Sequence, residues 1–99
     1  MIFNTTTSET SDTYLYVVAR PKACWRIAVC QSGIQWLLQR VDGERNGVTR
    51  WTTCAYAMTK PGLRKALRRF LALSDVNAEA IVNELAPSPS CQLKSNPVR

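Results

Sequence analysis

The stretch that decides the fold is CWRIAVCQSGIQWLLQR, residues 24–40. On both sides of its central turn, apolar residues recur at every second position: Trp25, Ile27, Val29, Ile34, Trp36 and Leu38. This alternation is typical of a half-buried strand, because successive side chains of a strand point to opposite faces. Gly33 in the turn can adopt the positive φ that tight hairpins require. The pattern predicts two antiparallel strands joined as a hairpin, with Trp25 and Trp36 in the core.

Strand-forming segments flank this hairpin. A polar loop follows it, marked by Asp42-Gly43 and Asn46-Gly47, and residues 48–57 are then rich in Thr, Trp and Tyr. Such residues favour a third strand. In front of the hairpin, residues 14–18 predict a short edge strand, which Pro21 is expected to end. The sheet is expected to have three strands, with the edge strand as an optional fourth.

Two amphipathic helices are predicted after the strands. The first begins near Thr59 or Lys60 and has apolar residues at helical spacing: Leu63, Leu67, Phe70 and Leu71. Ser74 or Asp75 can cap the second helix, which ends before Pro87. Its apolar stripe consists of Ala78, Ile81, Val82 and Leu85.

The predicted fold class is α+β, with three or four antiparallel strands followed by two helices packed on one face of the sheet. We expect a single domain over residues 14–86 with the element order β-β-β-α-α. Residues 1–13 are rich in Ser and Thr, and residues 87–99 contain three prolines. Both ends are therefore predicted to be flexible tails.

The composition argues against several function classes. The chain has 99 residues and no histidine, which removes ordinary Ser-His-Asp and Cys-His catalytic arrangements. Glu79 and Glu84 share a predicted helix but are five positions apart, so they do not form an i, i+4 pair. The four glycines form no phosphate-binding motif, and the four cysteines form no C-x-x-C pair. We predict that the protein is not an enzyme and uses neither a cofactor nor a metal.

Basic residues are concentrated in the predicted body of the protein. Residues 20–73 hold 11 of the 13 cations and two of the seven acids, a balance that favours anionic partners. The clearest cluster is on the first helix: Arg64, Lys65, Arg68 and Arg69. Its members form two like-charge i, i+4 pairs, each of which opposes helix formation by about 0.2–0.5 kcal/mol. Either an anionic partner offsets this repulsion, or the helix dipole and the second helix's acids do: Asp75, Glu79 and Glu84.

A second set of candidates interleaves cations with aromatic residues along the strands: Arg26, Arg40 and Arg50. Alternation predicts an exposed outer face that carries polar residues and one apolar exception: Arg26, Gln35, Gln39, Arg50 and Leu37. Trp51 and Tyr56 have opposite phase, so at most one of them is expected to be buried. Such a face can lie in a DNA groove, stack unpaired bases or dock on a protein. If the helix stripe faces the sheet, the helix cations point away from this outer face.

Parts of the chain resemble known proteins. The order of three strands and a covering helix resembles the sheet modules that read DNA in plant AP2-type factors and in the arm-binding domains of phage integrases. The segments CWRIAVC (24–30), GIQWLLQR (33–40), Arg50-Trp51 and the helix over 63–71 resemble short uncharacterised proteins of proteobacterial phages, plasmids and other mobile elements. Those elements use such proteins as DNA-binding regulators and as inhibitors of host defence, including anti-CRISPR proteins. The resemblance therefore implies a nucleic-acid partner or a host protein target, and it brings no catalytic or ligand residues.

We predict a small non-enzymatic binding module whose basic surface engages nucleic acid or a nucleic-acid-handling protein complex. The alternative is a phage- or plasmid-encoded inhibitor of host defence that binds an acidic surface of a host protein or nucleoprotein complex. A third hypothesis is a homo-oligomer formed through a free sheet edge. The apolar runs are too short to cross a bilayer, and the first residues lack the regions of a secretory signal. We therefore expect a cytoplasmic location and no membrane partner.

Overall fold

The computed structural model describes residues 8–91. Within that range, four strands precede two helices: β1 (Val17–Lys22), β2 (Trp25–Val29), β3 (Trp36–Arg45), β4 (Val48–Ala57), α1 (Lys60–Leu71) and α2 (Asp75–Asn83). The α+β prediction is confirmed. The sheet has the fourth, edge strand that the sequence left optional. This strand spans Val17–Lys22 and runs through Pro21, so the predicted bounds 14–18 and the predicted end at Pro21 are wrong. None of the helices within residues 8–91 is long and apolar enough to span a membrane.

The sheet is an antiparallel meander in which each strand pairs with the next one along the chain. The predicted hairpin is confirmed, with Val29 opposite Trp36 and Trp25 opposite Arg40. Gly33 closes its loop with a φ of 74° and a 2.9 Å hydrogen bond from its N–H to the Cys30 carbonyl.

The polar loop expected between β3 and β4 is shorter than predicted. Strand β3 continues through Asp42-Gly43, where the pairing register shifts, and only Asn46-Gly47 forms the turn. Both turn residues have positive φ, 54° and 79°. Asn and Gly tolerate this conformation, and its twist matches that of the flanking strands.

A β-bulge in β4 changes which residues share a face. Leu38 lies opposite Ala55 and Gln39 lies opposite Thr53, so Cys54 is an extra residue in the ladder. The bulge places Trp51 and Tyr56 on the same face of the sheet, although strict alternation predicts opposite faces. Trp51 is buried and Tyr56 is 63% exposed, so at most one of them is buried, as expected.

The two helices cover one face of the sheet. Leu63, Leu67 and Leu71 of α1 pack against the apolar side of the hairpin, and Ala78 and Val82 of α2 complete this core. Each fully buried Leu contributes about 2 kcal/mol to stability. Ser74 caps α2, as predicted, by accepting from Asn77 N–H. The first helix starts where expected, and the Thr59 side chain caps it by accepting from Gly62 N–H.

The opposite face of the sheet is covered by residues 8–16, which we call the N-terminal strap. Its Thr10 carbonyl accepts a 3.0 Å hydrogen bond from Trp51 N–H, and its buried Tyr14 hydroxyl donates to the Val29 carbonyl at 2.6 Å. Tyr14 packs in a small cluster with Ala28, Cys30 and Leu37. The prediction that Leu37 is exposed is therefore wrong, since it is fully buried beneath this segment.

The packed body extends past the predicted bounds 14–86. Residues 8–13, which the sequence assigns to a tail, belong to the strap. At the other end, Pro89 is buried and the Ser90 hydroxyl donates to the Gly33 carbonyl at 3.0 Å. The rest of the two predicted tails, residues 1–7 and 92–99, lies outside the described residues.

The turn at Gly47 provides a test of the hairpin geometry. Gly47→Ala is expected to lower the free energy of unfolding by about 1 kcal/mol, because an L residue is strained at this positive φ. A Cβ there meets no atom within 4 Å, so the loss reports backbone strain alone. Urea denaturation measures it, with Asn46→Gly as the control that keeps a compatible turn. Equal stability of G47A and the unmodified protein would contradict this turn.

Candidate functional site

The four cations of α1 divide into two stripes with different electrostatic surroundings. Arg64 pairs with Glu79 at 2.6 Å and Arg68 pairs with Asp75 at 2.7 Å. Both ion pairs are largely exposed to solvent, so each contributes little to stability. For this stripe, the expectation that acids of the second helix offset the charge is confirmed.

Lys65 and Arg69 form the other stripe, on the flank of α1 that faces β4. They line a shallow depression together with Ala55 and Phe70. Within residues 8–91, neither cation has an ion pair. Their i, i+4 repulsion is therefore not offset by a carboxylate of the described chain. The C-terminal half of the helix dipole favours Arg69, which lies in the last turn.

An aromatic pair lies next to these unpaired cations. The Phe70 and Trp25 ring centroids are 6.3 Å apart with a tilt of 47°. The Arg69 guanidinium lies 5.4 Å from the Phe70 centroid, and the Arg40 guanidinium lies 6.0 Å from the Trp25 centroid. We call Trp25, Arg40, Lys65, Arg69 and Phe70 the basic-aromatic surface. It joins cations from the helix and from the sheet.

The register of the strands explains why Arg40 reaches this surface. Lys22 of β1 and Arg40 of β3 lie directly opposite Trp25 of β2, one on each side. Residues directly opposite in a sheet share a face, and here it is the face that carries the helices. The Lys22 ammonium lies 3.5 Å from the Leu71 carbonyl, which places this row at the C-terminal end of α1.

Arg26, predicted on an exposed outer face, is fully buried. Its guanidinium donates to the Ser11 carbonyl at 2.8 Å, to the Glu9 carbonyl at 3.2 Å and to the Gln39 side chain at 2.7 Å. It also stacks on Trp51, 4.3 Å from the ring centroid. The predictions of exposure for Arg26 and for Gln39 are wrong, because the strap covers both residues. The Arg26 guanidinium donates to groups of its own chain and is not accessible to a partner.

The buried Arg26 side chain keeps its positive charge. Desolvation, reinforced by the nearby Arg20 cation, lowers the pKa of Arg26 to about 10. The guanidinium is therefore still protonated near neutral pH. A buried cation of this kind is tolerated only when hydrogen-bond acceptors surround it.

Arg50 is exposed, as predicted, but it does not share a face with Arg26. Arg50 directly precedes Trp51 in β4, so the two side chains point to opposite faces, and Trp51 is the one that contacts Arg26. Arg50 lies opposite Gly43 and lines a depression with Asp42 and Glu44. Its charge is thus close to two carboxylates, in contrast to that of Lys65 and Arg69.

Of the seven sequence-predicted site residues, the structure brings Arg40, Lys65 and Arg69 together on one surface. Sequence reasoning missed Trp25 and Phe70 as members, because both rings were expected to face the core. One feature of the sequence could have indicated that Trp25 belongs to this surface. A hairpin that turns at residues 31–35 places Trp25 opposite Arg40, which pairs a ring with a cation across neighbouring strands.

The chemistry of this surface is non-covalent. Guanidinium and ammonium groups bind anions, and aromatic rings stack on flat partners. Within residues 8–91, no three Cys, Asp or Glu side chains converge as metal ligands.

Comparisons of the chain with family models, with curated proteins and with solved structures find no match. The resemblance to mobile-element proteins and to AP2-type and integrase modules therefore stays a prediction.

Replacing Arg26 tests whether its hydrogen bonds to the strap stabilise the fold. Arg26→Leu is expected to lower the free energy of unfolding by about 3 kcal/mol, because the buried carbonyls of Glu9 and Ser11 lose their donor. Hydrogen exchange of the Trp51 N–H should accelerate as the strap loosens. Arg20→Leu is the control, since the Arg20 guanidinium lies 5.6 Å from the same Trp51 ring but is exposed. Equal losses in R26L and R20L would refute the special role of Arg26.

Tyr14 makes the stability of the folded protein depend on pH in the alkaline range. Burial, reinforced by the Glu9 carboxylate, raises the pKa of Tyr14 above its ordinary value of 10. The unfolded chain releases this proton above about pH 10 and the folded chain retains it, so stability falls as the pH rises through that range. Tyr14→Phe should lose less stability than the unmodified protein between about pH 9 and about pH 11.

Chemical denaturation at each pH measures this difference. Arg26 changes the stability in the opposite direction. Its pKa is lowered to about 10 in the folded chain, so stability rises as the pH increases above about 10. Arg26 is present in both proteins and its coupling to Tyr14 is the smallest contribution to its pKa, so most of this effect cancels in the comparison. Tyr56→Phe is the control at an exposed position, and a Y14F profile identical to that of Y56F would contradict the expectation.

Proposed function

We propose that this protein is a non-enzymatic binding module whose basic-aromatic surface engages nucleic acid. The observation that carries the proposal is the pair of unneutralised cations, Lys65 and Arg69, beside two rings and Arg40. Each cation on such a surface can contact a phosphate and release a condensed counterion. The α+β scaffold contributes by holding helix and sheet cations on one side of the molecule.

The chemistry of the surface favours nucleic acid over an acidic protein. Every nucleotide combines a phosphate with a flat aromatic base, and the surface offers both kinds of partner group side by side. An acidic protein surface supplies carboxylates, but nothing in Asp and Glu side chains themselves provides a flat aromatic group. Cations next to exposed rings are therefore better matched by a nucleotide than by Asp and Glu side chains.

A direct test is the binding of labelled DNA and RNA oligonucleotides, followed by fluorescence anisotropy over a range of salt concentrations. The logarithm of the association constant should fall linearly with the logarithm of the salt concentration. Tight binding to a host protein without measurable affinity for nucleic acid would instead support the inhibitor of host defence that the sequence left open.

The two stripes of α1 provide matched variants. Lys65→Gln combined with Arg69→Gln should weaken binding roughly tenfold or more and reduce the salt slope by about 1.5. Arg64→Gln combined with Arg68→Gln removes the same number of cations from the same helix. Because those cations are already paired with Glu79 and Asp75, this control should weaken binding less. Equal losses in the two double variants would show that net charge alone governs binding.

A further inference from the structure

Trp25 and Phe70 provide exposed aromatic surface, which phosphate binding does not require. Phe70 is 38% exposed, and Trp25 is only partly buried although Ile27 and Val29 on the same strand are fully buried. Their centroid separation of 6.3 Å and tilt of 47° lie in the range of favourable aromatic pairs. The two rings therefore support each other and leave aromatic surface open to a third flat group.

Cations surround these rings on several sides. Lys22 and Arg40 lie directly opposite Trp25 on the two neighbouring strands. The Arg69 guanidinium lies 5.4 Å from the Phe70 centroid. Both guanidinium groups, of Arg69 and of Arg40, lie over a ring, so a base that stacks on the same face has to displace them, and both side chains are exposed and long enough to move to its phosphates.

We infer that the Trp25–Phe70 pair stacks an unpaired base while Arg40 and Arg69 contact neighbouring phosphates. This inference rests on the nucleic-acid function proposed above. The ligand class is therefore single-stranded nucleic acid. In a duplex the faces of the bases are covered by their neighbours in the stack, so the rings would have no partner there. Base–aromatic stacking contributes about 1–3 kcal/mol per base and tolerates any base, because every base has a π face.

The test compares three probes at equal salt concentration. They are a single strand of about 12 thymidines, an abasic strand of the same length and a blunt-ended duplex of about 12 base pairs, which has no unpaired base. The thymidine strand should bind about tenfold or more tightly than either of the other two. The abasic strand retains the phosphates and lacks the bases, so it isolates the contribution of stacking.

Ring variants connect the preference to this site. Phe70→Leu is expected to weaken binding of the thymidine strand about 5- to 100-fold and to leave binding of the abasic strand nearly unchanged. Phe70→Trp should bind the thymidine strand at least as tightly as the unmodified protein. Tyr56→Leu removes an exposed ring on the other face of the sheet and should have no effect. Urea denaturation of each variant confirms that it is folded.

The outcomes separate this inference from the proposed function. Salt-dependent binding of equal strength to all three probes would leave nucleic-acid binding standing and overturn base stacking. An unchanged affinity of F70L, or a weaker affinity of F70W, for the thymidine strand would overturn stacking at this site. Absence of binding to all three probes would overturn both.

Discussion

The buried guanidinium of Arg26 is the interaction on which the rest of the structure depends. A four-stranded meander has two faces, and α1 and α2 cover only one of them. The strap that covers the other face is not a regular strand, so its carbonyls lack a full ladder of backbone partners. Arg26 supplies donors to several of these carbonyls, and the Gln39 amide adds a 2.8 Å bond to the Glu9 carbonyl. Without these donors, the strap would bury carbonyl groups at a cost of about 1–3 kcal/mol each.

Because the strap withdraws Arg26 from solvent, Arg20 is the exposed cation beside Trp51 on that face, and the cations of the basic-aromatic surface lie on the other side of the sheet and on the helices. There, the position of α2 decides which cations are neutralised. Asp75 begins α2, where a carboxylate is favoured by the helix dipole, and the same carboxylate pairs with Arg68. The stripe of Arg64 and Arg68 is thus part of the contact between the helices. The stripe of Lys65 and Arg69 keeps its positive field toward solvent.

Local patterns predicted the hairpin of residues 24–40, both helices and the Ser74 cap of the second, because each depends on residues near one another in sequence. The bulge at Cys54 escaped prediction, since period-two reasoning assumes one residue per position and cannot detect an extra one. The burial of Arg26 was not predicted, for a different reason. Arginine is mostly exposed, and its acceptors come from a Ser- and Thr-rich segment that composition assigns to a tail.

The candidate site could be predicted only in part, for a reason that lies in tertiary structure. Sequence spacing identifies the two like-charge pairs of α1 but treats them as equivalent. Only the placement of α2 distinguishes them, by bringing Glu79 to Arg64 and leaving Lys65 without a carboxylate. Likewise, the pattern of Phe70 beside Leu71 indicates an apolar stripe, and only the packing of α1 shows that one ring lies at its edge.

The helix dipole gives Arg68 and Arg69 a reason to be basic that is independent of any partner. Both lie in the last turn of α1, where a cation gains about 0.3–1 kcal/mol. Lys65 lies in the middle of the helix, where the dipole gives little, and it repels Arg69 by about 0.2–0.5 kcal/mol. Its side chain is exposed and has no carboxylate partner within residues 8–91. The dipole and the ion pairs of the described residues therefore give no reason for a positive charge at position 65, and the anionic partner proposed above would give one.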